Sequence, residues 1–137
     1  MGLILDSSIV IAAERRGDTP EALIYHVIAQ TGNQEAALSS IGLTELVHGI
    51  YRASSLQKQA LRRTFIEELR AALTVYPYTA ETAYMAGRID REQTALGNII
   101  PSIDLLIGAT ALSLGFSILT ANPRHFRKIP GLSVIDF

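Results

Sequence analysis

The sequence predicts an α/β fold with a largely parallel sheet. Short apolar runs recur along the chain: Leu3–Leu5, Ala37–Ile41, Thr74–Tyr76, Phe116–Leu119 and Leu132–Ile135. Between them lie stretches with the three-and-four spacing of amphipathic helices, and strands alternating with helices argue for parallel strand order. The first run is continuous rather than alternating, as a strand buried on both faces should be. There is no repeat, low-complexity tract or long linker, so residues 1–137 read as one domain large enough to bury an ordinary core.

The elements follow in order. Asp6-Ser7-Ser8 closes the first strand, and Ile9–Ala13 begins a short helix ending near Arg15-Arg16-Gly17. Asp18 or Thr19 caps a second helix with Pro20 at its first position, an apolar face of Leu23, Ile24, Val27 and Ile28, and Gly32 as its stop. Ala37–Ile41 is the second strand, and Leu43 to about Arg52 is a helix carrying Glu45. Leu56–Leu73 is a longer helix with Leu61, Phe65, Leu69 and Leu73 inward and Arg62, Arg63, Glu67, Glu68 and Arg70 outward. Thr74–Tyr76 is a strand stopped by Pro77, and Thr79 or Glu81 opens a helix through about Leu96. Pro101 starts the next helix, buried along Ile103, Leu106, Ile107, Thr110, Ala111 and Leu114 and ended by Gly115. Phe116–Leu119 is then a strand, a polar loop follows, and Leu132–Ile135 is the last strand.

Composition excludes several functions. There is no cysteine, which removes disulfides, thiolate metal sites and cysteine nucleophiles and fits the reducing cytoplasm. The apolar N-terminus lacks a basic leader region and contains Asp6, so it does not read as a signal peptide. The uncharged span from Leu105 to Pro123 is interrupted by Thr110, Ser113, Gly115, Ser117, Thr120 and Asn122, so no membrane partner is expected. The net charge of −1 gives no whole-molecule attraction for nucleic acid, and any basic surface must be local. No phosphate-binding glycine loop, nucleophile elbow or H-E-x-x-H pair occurs.

Three of the thirteen acidic residues stand in unusual company. Asp6 lies in LILDSSIVI, Glu45 in SIGLTELVHGI and Asp104 in IPSIDLLIGA, each flanked by apolar residues and with no Lys or Arg within four positions. Singly, each can be a helix cap or a locally satisfied carboxylate. Together they suggest convergence beyond the carboxyl ends of parallel strands, where such folds gather ligands. Three carboxylates there repel without a cation. An all-oxygen set with no Cys and no paired His favours Mg²⁺ or Mn²⁺ over Zn²⁺. Asn122, after Thr120 at a strand end, is either a fourth oxygen donor or a turn residue before Pro123. Ser8 either hydrogen-bonds a carboxylate or caps the first helix. Arg124, His125, Arg127 and Lys128 surround Phe126, and the charges either hold phosphates at the mouth of an acidic site or form a solvated loop. Arg15 and Arg16 can join the same rim. His48, one turn from Glu45, and His26 read as structural or surface residues.

These segments resemble a known family, the PIN-domain ribonucleases, and specifically the VapC-like toxins of type II toxin–antitoxin pairs. LILDSSIVIA resembles the opening motif, with its acid at Asp6 and a hydroxyl residue at Ser8. SSIGLTELVHGIYRA resembles the second, with its acid at Glu45, and PSIDLLIGATALSLGFSILTANPRHF resembles the last two. Those place an acid at Asp104 and a T-x-N-x-x-H-F ending at Thr120, Asn122, His125 and Phe126. Many relatives carry an acid where Asn122 stands. The resemblance implies a three-layer α/β/α fold and Mg²⁺- or Mn²⁺-dependent endonucleolytic cleavage of RNA by activated water, leaving 5′-phosphate and 3′-hydroxyl ends. It also implies a homodimer and a cognate antitoxin that buries the site. A housekeeping RNA-processing nuclease or a non-catalytic Mg²⁺-binding module of the same fold are the alternatives. A receiver- or dehalogenase-type phosphotransfer domain would need a lysine at a strand end, and the only lysines are Lys58 and Lys128.

Overall fold

The computed structural model describes all residues, Met1–Phe137, and is built outward from one buried strand. That strand, β1 (Gly2–Leu5), carries only apolar side chains and glycine, because it has a neighbour on each side and a helical layer on each face. The sheet is entirely parallel, in the order β3 (Thr74–Tyr76), β2 (Glu35–Ser39), β1, β4 (Ser117–Thr120), β5 (Val134–Asp136). Ile4 pairs with Ala37 on one side and Ile118 on the other, which fixes the register of the centre.

Alternation along β1 sorts the two cores. Leu3 and Leu5 face α1 (Ser7–Arg15), α2 (Pro20–Thr31), α3 (Ser40–Tyr51) and α4 (Leu56–Ala72), packing with Ile9, Leu23, Leu46 and Leu69. Ile4 faces the other way, toward α5 (Ala80–Ala95), α6 (Ser102–Leu114) and α7 (Pro123–Phe126), packing with Ile89, Ile107 and Phe126. The result is the expected three-layer α/β/α arrangement. Helix α6 comes close to the chain after α7 at Gly108, where a Cβ would sit 2.3 Å from Ile129 Cδ1. No helix is long and apolar enough to cross a membrane.

Several boundaries differ from the sequence expectation. Strand β2 ends at Ser39, not Ile41, because the Ser39 hydroxyl accepts from Gly42 N–H at 2.9 Å and starts α3 at Ser40. Pro101 occupies the N-cap of α6 rather than its first turn. Thr19 and Thr79, not Asp18 or Glu81, cap α2 and α5. Strands β4 and β5 each run further toward the C-terminus than their apolar runs, taking in Thr120 and Asp136. Leu61 is exposed rather than inward: no residue between 56 and 64 is buried, so α4 begins beyond the edge of the core. Ile28 and Ile103 likewise remain well exposed; α6 buries Ile107, Thr110 and Ala111 as expected, joined by Leu105 and Ala109, while Leu106 and Leu114 are half-buried.

Strand order reverses between β1 and β4: the chain runs outward from β1 through β2 to β3, then returns to the other side of β1. Beyond the carboxyl ends of β1 and β4 the connections part, leaving the crevice where open parallel sheets bind ligands.

Candidate active site

Asp6 stands at that crevice as the residue after β1. Its backbone N–H donates to Leu119 O across the sheet at 2.9 Å, so the position is an extension of strand pairing. It also precedes α1, yet its side chain makes no capping bond. The carboxylate is buried and Oδ2 takes two hydroxyl donors, Ser8 Oγ at 2.7 Å and Thr120 Oγ1 at 2.8 Å. Those hydroxyls in turn accept from the loop after β4: Ala121 N–H donates to Ser8 Oγ at 3.1 Å and Asn122 N–H to Thr120 Oγ1 at 3.0 Å. Ser8 therefore serves the carboxylate rather than capping its helix. Every buried side-chain oxygen has a partner, so Asp6 Oδ1, which has none, opens onto the crevice.

Glu45 is not at a helix start, as the sequence suggested, but in the second turn of α3. The buried Ser7 hydroxyl donates to its Oε1 at 2.8 Å. Its carboxyl pKa is raised above 4.5, chiefly by burial and further by the charges of Asp6 and Asp104, while the Ser7 bond acts the other way. Asp104, in the first turn of α6, does have a basic neighbour: His125 Nδ1 lies 2.9 Å from Oδ2, and an N–H there donates to the carboxylate. Burial still dominates, so the Asp104 pKa is raised above 3.8; the Asp6 charge adds to this and His125 opposes it. That Asp6 perturbs both other acids is the electrostatic mark of convergence.

All three acids line one cavity of about 650 Å³ with Ser8, Asn122, Arg124, His125 and Arg127. Asn122 is exposed, and its side-chain amide makes no capping bond to α7. Thr120 lies behind Asp6, fully buried. Three candidates fall outside. Lys128 turns away and donates to Ile99 O at 3.3 Å, Arg15, at the far end of α1, lines a separate cavity, and Arg16 donates to Asp18 Oδ2 at 2.9 Å. Ser7 was not among the candidate site residues, and His125 was placed only in the basic loop and the closing motif, not against Asp104. Pro123 at the first position of α7 is a helix-start signal that would have turned His125 inward. Nothing in the sequence separates Ser7 from Ser8, since each hydroxyl goes to a different acid only because α1 begins between strand and cavity.

The donor set suits a hard cation, with one qualification. No three His, Asp or Glu side chains come close enough to enclose an ion. The acids line one open cavity, and carboxylate and amide oxygens are the donors that Mg²⁺ or Mn²⁺ would take there beside waters and substrate phosphate oxygens.

The family model of the PIN domain matches residues 3–132, and the chain belongs to the PIN-domain family. Within it, the chain is 35% identical over 135 residues to Ribonuclease VapC1 of Rickettsia felis, covering 98% of this chain and 96% of that protein. It is 36% identical, with the same coverage, to Ribonuclease VapC of Rickettsia bellii. The crystal structure of VapBC2 from Rickettsia felis, bound to a DNA fragment from their promoter, superposes with a TM-score of 0.86 at 24% identity. That match covers 100% of this chain and 99% of that one, and it establishes likeness of fold.

Proposed function

We propose that this chain is a VapC-type endoribonuclease, the toxin of a toxin–antitoxin pair, which cuts RNA in the cytoplasm with Mg²⁺ or Mn²⁺. The observation that carries the reading is the convergence of Asp6, Glu45 and Asp104 on one cavity at the sheet's switch point, with Arg124 and Arg127 on its rim. The names of its full-length relatives support the substrate class.

A bound Mg²⁺ or Mn²⁺ would polarise the scissile phosphate and acidify a coordinated water. The chain's own residues do the rest. Ser8 and Thr120 hold Asp6 so that Oδ1 faces the cavity, and His125 holds Asp104 in place. Ser7 orients Glu45 through Oε1, and the carboxylate takes a proton from a water attacking phosphorus. Arg124 and Arg127 position the phosphates. The water's oxygen bonds to phosphorus as the bond to the 3′ oxygen breaks; that oxygen takes a proton from solvent, giving 5′-phosphate and 3′-hydroxyl ends. A cognate antitoxin that covers this cavity, and a second copy of the chain forming a homodimer, complete the proposed assembly.

The test is cleavage of a structured RNA by the purified protein. Activity should require Mn²⁺ or Mg²⁺, stop with EDTA, and fall by most of its value in Asp6→Asn, Glu45→Gln and Asp104→Asn. Cleavage that persists in EDTA, or is undiminished in Asp104→Asn, would overturn the reading.

A further inference from the structure

A second cavity, of about 280 Å³, lies on the other side of Glu45. It shares two residues with the first, Glu45 and Ile11, which form the wall between them. Its charged lining is three guanidiniums, Arg15, Arg52 and Arg62, against two carboxylates, Glu14 and Glu45. The carboxylates are both engaged: Glu45 accepts from Ser7 on the catalytic side, and Glu14 accepts from Arg62 Nε at 3.1 Å. Arg62 is pinned further by donating to Gly49 O at 2.8 Å, so the pair braces α1 against α3 and α4. The side chains of Arg15, in the last turn of α1, and Arg52, at the C-cap of α3, make no hydrogen bond or ion pair and are exposed.

We infer that Arg15 and Arg52 form a second phosphate subsite, which binds the RNA backbone on the side of Glu45 opposite Arg124 and Arg127. The inference rests on the ribonuclease reading above. An RNA strand crossing three carboxylates meets repulsion at the centre, and cations confined to one side would hold only one end of it. Here two free guanidiniums line each cavity, and Glu45 stands in the wall between them. Such contacts fix the register of the strand over the acids without reading its bases. Arginine's rigid fork suits phosphate, and neither group has a competing carboxylate partner.

The test needs no turnover. Binding of a fluorescein-labelled oligouridylate is measured in EDTA by anisotropy against salt concentration, for the wild type and for Arg15→Ala/Arg52→Ala. Each single-strand phosphate contact contributes about 0.7 to the slope of log affinity against log salt, so losing two lowers the slope by about 1.4. Between about 50 and 200 mM salt the wild type should then lose about 7-fold more affinity than the variant. Arg15→Lys/Arg52→Lys should keep the wild-type slope, because the slope counts charges. Equal slopes in the wild type and the alanine variant would overturn the subsite, as would a lysine variant that behaves like alanine. An unchanged RNA slope with weakened binding of an acidic peptide would assign the cavity to a protein partner and overturn it too. A wild type that binds RNA with this dependence yet never cleaves it would refute the proposed activity and leave the subsite standing.

Discussion

Replacing Glu45 with Gln should make the metal-free protein more stable while removing activity. Gln keeps an oxygen for the Ser7 hydroxyl and nearly the same volume, so the substitution removes charge and little else. In the folded protein that charge is disfavoured by burial and by Asp6 and Asp104. The carboxyl still meets solvent through the cavity, and screening limits the gain to about 1 kcal/mol, typical of functional groups held at a cost to stability. Unfolding entropy near 60 °C is about 2.1 cal/mol/K per residue, or about 0.29 kcal/mol/K for 137 residues, so the gain corresponds to about 3 to 4 °C in Tm. The sign with pH follows from linkage. A raised folded-state pKa means the folded protein binds the proton more readily, so wild-type stability improves as pH falls from about 7 through the folded pKa toward 4.5. The Gln variant lacks that contribution, and the gap between the two proteins should close over the same window. Thermal melts in EDTA across this range test it, with a parallel series in Mn²⁺ that should raise the wild type more than the variant. A variant that is neutral or less stable at about pH 7, with a gap independent of pH, would refute the claim that Glu45 shares its cavity with like charges.

Two other outcomes follow from the site. Thr120→Val keeps the shape of a fully buried side chain but removes a donor to Asp6 and the acceptor for Asn122 N–H. It should cost about 1–3 kcal/mol, and a Tm within about 1 °C of wild type would show that the network contributes nothing. Arg124→Ala/Arg127→Ala should raise KM and lower its salt slope by about 1.4 without moving the cleavage sites, whereas Lys128→Ala, whose ammonium is turned to Ile99 O, should leave both unchanged. A Lys128→Ala variant that also lowers the slope, by about 0.7, would return the whole loop to a diffuse basic surface.

The layered fold was legible because β1 lies at the centre of the sheet, where burial on both faces forces a continuous apolar run. Boundaries were harder where a polar residue belongs to a strand. Ser39 and Thr120 are buried strand residues whose hydroxyls serve a helix cap and a carboxylate, and their polarity reads locally as a loop. The three acids were visible as charges without local partners. Apart from Ser8, two residues from Asp6, their partners lie far along the chain: Ser7 is 38 residues from Glu45, His125 is 21 from Asp104, and Thr120 is 114 from Asp6. A linear sequence places His125 among surface cations, and only the short turn of α7 brings its ring back to Asp104. Arg15 was assigned to the wrong rim for a related reason. Nine helical residues carry it about 13 Å from Asp6, beyond Glu45.

The hydrogen bonds behind Asp6 make it a structural post as well as a candidate catalytic group. Its Oδ2 anchors Ser8 and Thr120, and these anchor Ala121 and Asn122, the residues that lead into α7. The register of Arg124 and His125 thus depends on an atom at the opposite end of the chain. An inactive Asp6 variant therefore disturbs the loop and the Asp104 partner together with the carboxylate, and its lost activity cannot be ascribed to one missing ligand. In a double-mutant cycle, Asp6→Ala and His125→Ala should be markedly non-additive although the two side chains share no hydrogen bond.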